Sequence, residues 1–472
     1  MVEVRTTAGR VRGTLDAGVA VFRGIPFAAP PVGDLRFAAP SPPRPWDGVR
    51  EAVAFGPAPP QADAFGMGRL TGGGDWLTLN VWTPDPGGDA GLPVMVWIQG
   101  GAYAIGASGL PEYDGACLAR GGVVLVTFNY RVGVEGFAHI AGAPANRGLL
   151  DQVAALEWVR DDIRAFGGDP AQVTVFGQSA GGGCVAALST MPRASGLFHR
   201  GIAQSVPGTF FTPDLARDIA GACAAELGLA ATTADLSTVE PELLAAAGDE
   251  VTATIGARTA TWGLIARRSI PFAPVVDGEV LRTTPWQARY DDVDLLVGHT
   301  RDEHRLFTVL DEVTEEQAAT AAEVFAPGPY PAAEPTRLYE LILSDWLFRM
   351  PSLHLAERAV AHGSGRVHGY ELTWSGVLGA CHGLDVPLVF GNLTSGLPAT
   401  LIDDLDAAAA VSAHMRAAWI AFATSGDPGW PSFDSGLVQL FDTEPVVAPY
   451  PETQSQRIWQ DHTFRPLGLA SG

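Results

Sequence analysis

The sequence contains no lysine: all 30 basic residues among its 472 positions are arginine. This absence excludes mechanisms that require a lysine side chain, including Schiff-base chemistry, pyridoxal-phosphate catalysis and the phosphate-binding lysine of a P-loop. Basic residues are also few beside the 52 acidic ones, and the formal net charge is −22. Since phosphate contacts supply most of the affinity for nucleic acid, we expect neither nucleic acid nor an anionic membrane as a partner.

Long apolar runs and cysteines are scarce as well. No uninterrupted apolar stretch of about 18 residues could span a bilayer, and residues 1–5 lack the basic-then-apolar pattern of a signal peptide. The four cysteines include no C-x-x-C pair and are too few for a disulfide scaffold. We interpret them as small buried apolar residues. We therefore expect a cytoplasmic protein without a metal site.

Apolar residues are abundant: they make up 47% of the chain, against 17% charged residues, so we expect a large buried core. Short apolar runs without alternation recur along the chain, which is typical of strands buried on both faces. Helix-like stretches separate them, and this alternation predicts an α/β fold with a mostly parallel sheet flanked by helices. The predicted strands are 94–98, 123–126, 173–176, 201–203, 293–297 and 367–374, and the clearest predicted helices are 150–166 and 181–190.

Residues 214–350 are rich in alanine and helix-like, with scattered proline and glycine. We expect them to form a helical capping region over the sheet. The sequence shows no internal repeat and no low-complexity linker at which a second domain would separate. It therefore predicts a single domain over residues 1–472 that includes this capping region.

The strongest chemical signal is the motif Gly177-Gln178-Ser179-Ala180-Gly181. A G-x-S-x-G pattern alone is weak, but here an apolar strand leads directly into it and a helix of small residues leaves it. A serine on so sharp a turn requires small neighbours, which Gly177 and Gly181 supply. The motif therefore predicts Ser179 as a nucleophile.

A serine hydroxyl needs a base to remove its proton, so a histidine must lie nearby. His382 fits best, because it follows a predicted strand and lies between Gly379 and Gly383. The acid that orients its imidazole should follow another strand, and both Asp302 and Glu303 do so. Chemistry alone does not separate these two carboxylates.

A tetrahedral oxyanion needs backbone N–H donors, usually from the residue after the nucleophile and from a glycine-rich loop after an earlier strand. A Gln-Gly-Gly loop supplies them here, and the predicted donors are the N–H groups of Gly101, Ala102 and Ala180. Tyr103 and Phe307 closely follow this loop and the acidic pair. We expect both side chains to line the substrate pocket.

Together these motifs resemble the type B carboxylesterase/lipase family, which includes the cholinesterases, and indicate a bacterial-type carboxylesterase. The resemblance covers nearly the whole chain. It implies an α/β-hydrolase fold and a glutamate, Glu303, as the triad acid. It also supports His382 as the base, and it implies that the Ser205 hydroxyl lies beside the triad. The further matching stretches are FRGIPFAAPPVG at 22–33, LRF at 35–37, LTLNV at 77–81, NYRVG at 129–133, GLLDQ at 148–152 and FGGDP at 166–170.

Several positions depart from the family pattern. Pro59 and Trp76 stand where many relatives have a disulfide-bonded cysteine pair, which is consistent with a reducing compartment. Gln178 replaces the usual glutamate, and His304 replaces the usual glycine after the acid, with a role that stays open. The loop 62–74 has no counterpart of the tryptophan with which cholinesterases bind quaternary ammonium, so we do not expect a choline ester as substrate.

The residues and the resemblance predict a serine carboxylesterase that forms an acyl-enzyme intermediate without metal or organic cofactor. We expect small, neutral, moderately hydrophobic esters with short- to medium-chain or aryl groups, since the negative charge disfavours anionic ones. An amidase or carbamate hydrolase with the same triad is an alternative. A catalytically silent binding or adhesion module is another, but it would normally have lost triad residues. We expect a monomer or a homodimer.

Overall fold

The computed structural model describes residues 1–61, 73–87, 90–290, 292–309, 312–363 and 365–470. Within them, thirteen strands form one sheet. The strands are β1 (Val2–Arg5), β2 (Arg10–Asp16), β3 (Val19–Pro26), β4 (Val49–Glu51), β5 (Thr78–Thr83), β6 (Leu92–Ile98), β7 (Val124–Phe128), β8 (Gly168–Gln178), β9 (Arg200–Gln204), β10 (Asp294–Thr300), β11 (Val367–Leu372), β12 (Leu437–Phe441) and β13 (Val446–Pro449).

The strands follow the order β1-β2-β3-β5-β7-β6-β8-β9-β10-β11-β12-β13, and β4 pairs with β2. All pairings from β7 through β12 are parallel. The outer pairings β1-β2, β2-β3, β3-β5, β5-β7 and β12-β13 are antiparallel. The predicted α/β class with a mostly parallel sheet is therefore confirmed, and each predicted strand corresponds to a strand between β6 and β11.

Helices flank this sheet. Predicted helix 150–166 appears as a helix that ends at Asp162 and continues as a 3-10 turn, Ile163–Phe166. The helices are α1 (Ala116–Arg120), α2 (Gly133–Phe137), α3 (Arg147–Asp162), α4 (Ala180–Leu188), α5 (Pro213–Ala225), α6 (Thr233–Leu236), α7 (Pro241–Thr254), α8 (Thr259–Trp262), α9 (Arg305–Thr308), α10 (Glu315–Phe325), α11 (Pro335–Ser344), α12 (Met350–Ala361), α13 (Asp385–Phe390), α14 (Leu405–Ser425) and α15 (Thr453–Trp459).

The core lies on both faces of the sheet, as strand β6 shows. Side chains alternate between the faces of a strand. Val94, Val96 and Ile98 join one apolar cluster, whereas Met95 and Trp97 join the other, and all five are fully buried. A strand with both faces buried has no polar alternation, which explains the continuous apolar runs in the sequence.

Residues 214–350 are largely helical, but they also contain β10, which pairs in parallel with β9 and β11. The segment therefore builds part of the central sheet in addition to its helices. A π-helical turn, Asp345–Arg349, follows α11. The division of the chain into a single domain with a capping region stays a prediction.

The four cysteines are free, and three of them are buried. None of the described helices is long and apolar enough to cross a membrane. Residues 62–72 of the loop that lacks the cholinesterase tryptophan lie outside the described residues. The missing counterpart of this tryptophan is therefore known from the sequence alone.

Candidate active site

Ser179 lies at the turn between β8 and α4. Its backbone has φ 59° and ψ −126°, a conformation that is strained for any residue other than glycine and that concentrates at functional sites. A Cβ at Gly181 would lie 2.0 Å from the Ile98 carbonyl oxygen, and a Cβ at Gly177 would lie 2.6 Å from the Gly181 carbonyl carbon. The close approach of the backbones therefore requires both glycines of the motif.

Glu303 follows β10 and contacts His382, which follows β11. The Nδ1 atom of His382 lies 2.5 Å from Glu303 Oε2. The other carboxylate oxygen accepts hydrogen bonds from the Ser205 hydroxyl at 2.5 Å and from the Thr300 N–H at 2.9 Å. Because a carboxylate only accepts, Nδ1 carries the hydrogen and the lone pair of the neutral ring is on Nε2.

These donors determine the charge of Glu303, which is fully buried. Burial by itself raises the pKa of Glu303, but the charge and hydrogen bond of His382, together with the hydrogen bonds from Ser205 and Thr300, lower it below its usual value. The carboxylate is therefore ionised at neutral pH. In that form it can orient an imidazole and stabilise its protonated state.

Asp302, the other acidic candidate, has different partners. Its carboxylate pairs with Arg301 at 3.0 Å, Arg305 at 3.2 Å and Arg337 at 3.4 Å. Burial raises the pKa of Asp302, but the hydrogen bond and charge of Arg301 and the charge of Arg305 outweigh this and lower it. Of the two adjacent carboxylates, Glu303 is the one that contacts the imidazole.

The ring of His382 and Ser179 face the same cavity. The ring stacks on Phe348, with centroids 4.1 Å apart and planes 25° apart, and its centroid lies 5.5 Å from that of Phe307. Its Nε2 lies 3.2 Å from the side-chain nitrogen of Gln178, and among the described residues no hydrogen bond joins it to the Ser179 hydroxyl. Such bonds often shorten and align when a substrate binds.

The loop after β6 turns through three residues of positive φ: Gly101 at 115°, Ala102 at 52° and Tyr103 at 59°. Among the described residues, no backbone acceptor takes the N–H of Gly101 or Ala102. Ala180 is the first residue of α4, where an N–H has no intrahelical acceptor. All three predicted donors line the cavity that contains Ser179. Preorganised N–H groups of this kind can stabilise an oxyanion.

The cavity has a volume of about 440 Å³. Tyr103 and Phe307, the predicted lining residues, both contribute to it; Tyr103 is buried, whereas Phe307 is 45% exposed. Phe348 and Thr300 are not among the site residues that the sequence predicts. The first lies in a π-helical turn that no periodicity marks, and the second contributes a backbone N–H, which every residue except proline has. Further apolar walls come from Ile105, Leu110, Leu306, Leu347, Val386 and Leu397.

His304, whose role the sequence left open, also lines the cavity and is fully buried. Its Nε2 lies 2.5 Å from Nη2 of Arg268. A guanidinium only donates, so Nε2 accepts and Nδ1 carries the hydrogen. Burial, with the charges of Arg268 and His382, lowers the pKa of His304 well below its usual value. His304 is therefore a neutral part of the cavity wall.

Comparison with known proteins identifies the family. The carboxylesterase family profile matches residues 1–326. The chain is 36% identical to the para-nitrobenzyl esterase of Bacillus subtilis (strain 168), over 96% of this chain and 97% of that protein. It is 34% identical to the phenmedipham hydrolase of Pseudarthrobacter oxydans, over 91% of this chain and 92% of that protein. The solved structure of the carboxylesterase EST55 of Geobacillus stearothermophilus matches with a TM-score of 0.86 and 34% identity, over 98% of this chain and 100% of that one. The chain therefore belongs to the carboxylesterase family and is a serine carboxylic ester hydrolase of the α/β-hydrolase fold.

Proposed function

We propose that the protein hydrolyses neutral, moderately hydrophobic esters through a Ser179-His382-Glu303 triad and an acyl-enzyme intermediate. The observation that carries this proposal is the position of His382: its Nδ1 bonds to Glu303, and its ring faces the cavity that also contains the strained Ser179. The apolar walls and the volume of about 440 Å³ favour small esters with short- to medium-chain or aryl groups.

In the first half of the reaction, Ser179 Oγ attacks the ester carbonyl carbon while His382 Nε2 takes the serine proton. The carbonyl electron pair moves onto oxygen, where the N–H groups of Gly101, Ala102 and Ala180 stabilise the negative charge. The C–O bond to the alcohol then breaks, and the imidazolium gives its proton to the departing oxygen. The acyl group remains on the serine.

In the second half, His382 takes a proton from water, and the resulting hydroxide adds to the acyl carbon. Collapse of this second tetrahedral intermediate releases the acid and returns the proton to Ser179. Glu303 stays ionised throughout and stabilises the imidazolium in each half. Ser205 and Thr300 hold the carboxylate in place through their hydrogen bonds to Oε1.

The test compares wild type with Ser179→Ala on p-nitrophenyl esters and with a fluorophosphonate that labels activated serines. We expect the variant to lose both turnover and labelling. Ser195→Ala is the matched control, because Ser195 is an exposed serine outside the cavity lining; it should keep both. Undiminished turnover by Ser179→Ala would refute the mechanism.

A further inference from the structure

We propose that the carboxyl group of Glu112 forms a subsite of the substrate cavity that binds a protonated primary or secondary amine carried by the ester. This inference rests on the function proposed above and extends its substrate class beyond neutral esters. Glu112 lies in a 3-10 turn, Pro111–Tyr113, and lines the cavity that contains Ser179 and His382.

The Glu112 carboxyl is buried without a compensating charge. The residue is 5% exposed, and among the described residues no side-chain cation or donor pairs with its carboxyl oxygens. Asn392 Nδ2 donates to the backbone carbonyl of Glu112 at 2.9 Å rather than to its carboxyl. By contrast, two other buried acids have charged or ionisable partners: Glu303 pairs with a histidine, and Asp302 pairs with arginines. Burying an unpaired carboxylate is costly, so a partner from a ligand would be stabilising.

The titration of Glu112 agrees with this environment. Burial raises the pKa of Glu112, and the hydrogen bond with its own backbone N–H offsets only part of the rise. A cation beside the carboxyl would favour its ionised form and reverse this effect. A bound ammonium would therefore stabilise the ionised carboxylate of Glu112, which burial by itself disfavours.

The carboxyl also lies close against the loop that follows α13. A Cβ at Gly396 would lie 2.4 Å from Glu112 Oε2, and Gly396 has φ 82°. Any side chain at Gly396 would therefore collide with the carboxyl as well as strain the backbone. The next two residues, Leu397 and Pro398, line the cavity beside it. A ligand with an apolar body and a cationic end matches these neighbours.

A primary or secondary ammonium fits this subsite better than other donors. It supplies N–H groups and a positive charge together, and hydrogen bonds between charged partners are about twice as strong as neutral ones. A hydroxyl supplies no charge, and a quaternary ammonium has no N–H to donate. The net charge of −22 also raises the local concentration of cationic esters.

The test uses pairs of esters of equal size that differ by an ammonium in place of a methyl group. The pair 4-(aminomethyl)benzyl butyrate and 4-ethylbenzyl butyrate places the amine on the alcohol side. The pair benzyl 6-aminohexanoate and benzyl heptanoate places it on the acyl side. Wild type and Glu112→Gln are compared by the acid released at constant pH, and kcat/KM is determined for each ester.

For each pair, kcat/KM of the amine is divided by kcat/KM of its neutral isostere. We expect this ratio to fall about tenfold or more in Glu112→Gln for one of the two pairs, the one that places the amine beside residue 112. The neutral isostere should change less than about twofold, which also shows that the variant is folded. In Glu112→Gln, kcat/KM should fall less for the trimethylammonium analogue than for the primary amine. Unchanged ratios on both sides of the ester would overturn the proposal. An equal loss for the 4-(hydroxymethyl)benzyl ester would also overturn it, because any donor would then suffice.

Failure of this subsite and failure of the proposed function are distinguishable. If the neutral esters are cleaved by wild type and not by Ser179→Ala, but the amines show no dependence on Glu112, only the subsite is wrong. If Ser179→Ala cleaves the neutral esters as well as wild type does, the mechanism itself is wrong.

Discussion

Two glutamates, Glu303 and Glu371, are both fully buried, yet their pKa values move in opposite directions. The carboxylate of Glu303 receives hydrogen bonds from His382, Ser205 and Thr300, and its pKa is lowered. Their backbones lie close together, because Glu303 follows β10 and Glu371 lies in the adjacent strand β11.

Glu371 has no such donors: neither of its carboxyl oxygens has a hydrogen-bond partner among the described residues. Burial raises the pKa of Glu371 to about 8, and the charge of Arg349 offsets only part of this rise. The charges and hydrogen bonds of the neighbouring groups thus decide whether burial leaves each of these two carboxyl groups neutral or ionised. At neutral pH Glu303 is an ion that can orient His382, whereas Glu371 is mostly a neutral acid in the core.

Glu303→Gln should have the largest effect. We expect kcat to fall about 10³- to 10⁴-fold, because the amide carries no charge and can hold the imidazole of His382 in the wrong tautomer. The measurement is kcat on a p-nitrophenyl ester, with circular dichroism to show that the fold is retained. A loss smaller than about tenfold would show that this carboxylate is not the triad acid.

Glu371→Gln should instead change stability with little effect on kcat. The folded-state pKa of about 8 lies above the ordinary value of 4.5, so the folded wild type retains a proton that the unfolded chain has lost. Wild-type stability therefore falls as pH rises from about 4.5 to 8, and the glutamine variant lacks this loss. Urea unfolding should show an advantage for the variant that grows toward pH 8, on the order of 5 kcal/mol, since each unit of pKa difference is worth about 1.4 kcal/mol. A constant difference across this range would contradict the raised pKa.

Ser205→Ala tests one donor to Glu303 in isolation. Loss of one hydrogen bond to a buried charge costs about 1.5 kcal/mol, so we expect kcat to fall about tenfold with KM nearly unchanged. Ser189→Ala is the matched control, since Ser189 is also buried but donates to the Val185 carbonyl within α4. A rise in KM alone, or an equal effect in the control, would argue against a positioning role for Ser205.

Asp302→Asn should have the smallest effect, because the three arginine partners of Asp302 are 32–48% exposed and solvent screens their charges. We expect kcat to change less than about threefold and the free energy of unfolding to fall by about 1 kcal/mol at pH 7. Because the pKa of Asp302 is lowered in the fold, this contribution is present above about pH 4 and disappears as pH falls through the folded-state pKa. A loss of kcat as large as that of Glu303→Gln would mean that the acid assignment is reversed.

Several parts of the fold and of the site are predictable from sequence because they are local. The two-sided burial of β6 appears as an apolar run, and the strained turn at Ser179 requires Gly177 and Gly181 within the same five-residue motif. The cavity walls are harder to predict. Phe348, which stacks on His382, and Glu112, which lies against Gly396, have no sequence pattern that marks their neighbours.

The sequence alone predicted the fold class, the glycine-flanked turn at Ser179 and the glycine loop after β6, because backbone geometry over a few residues is reflected in glycine spacing and apolar periodicity. The chemistry of the residues left Asp302 and Glu303 as equal candidates, and family resemblance pointed to Glu303. The tertiary structure placed Glu303 against His382 and Asp302 among arginines. Contacts between residues about 80 positions apart depend on how strands and loops pack, which no local pattern encodes.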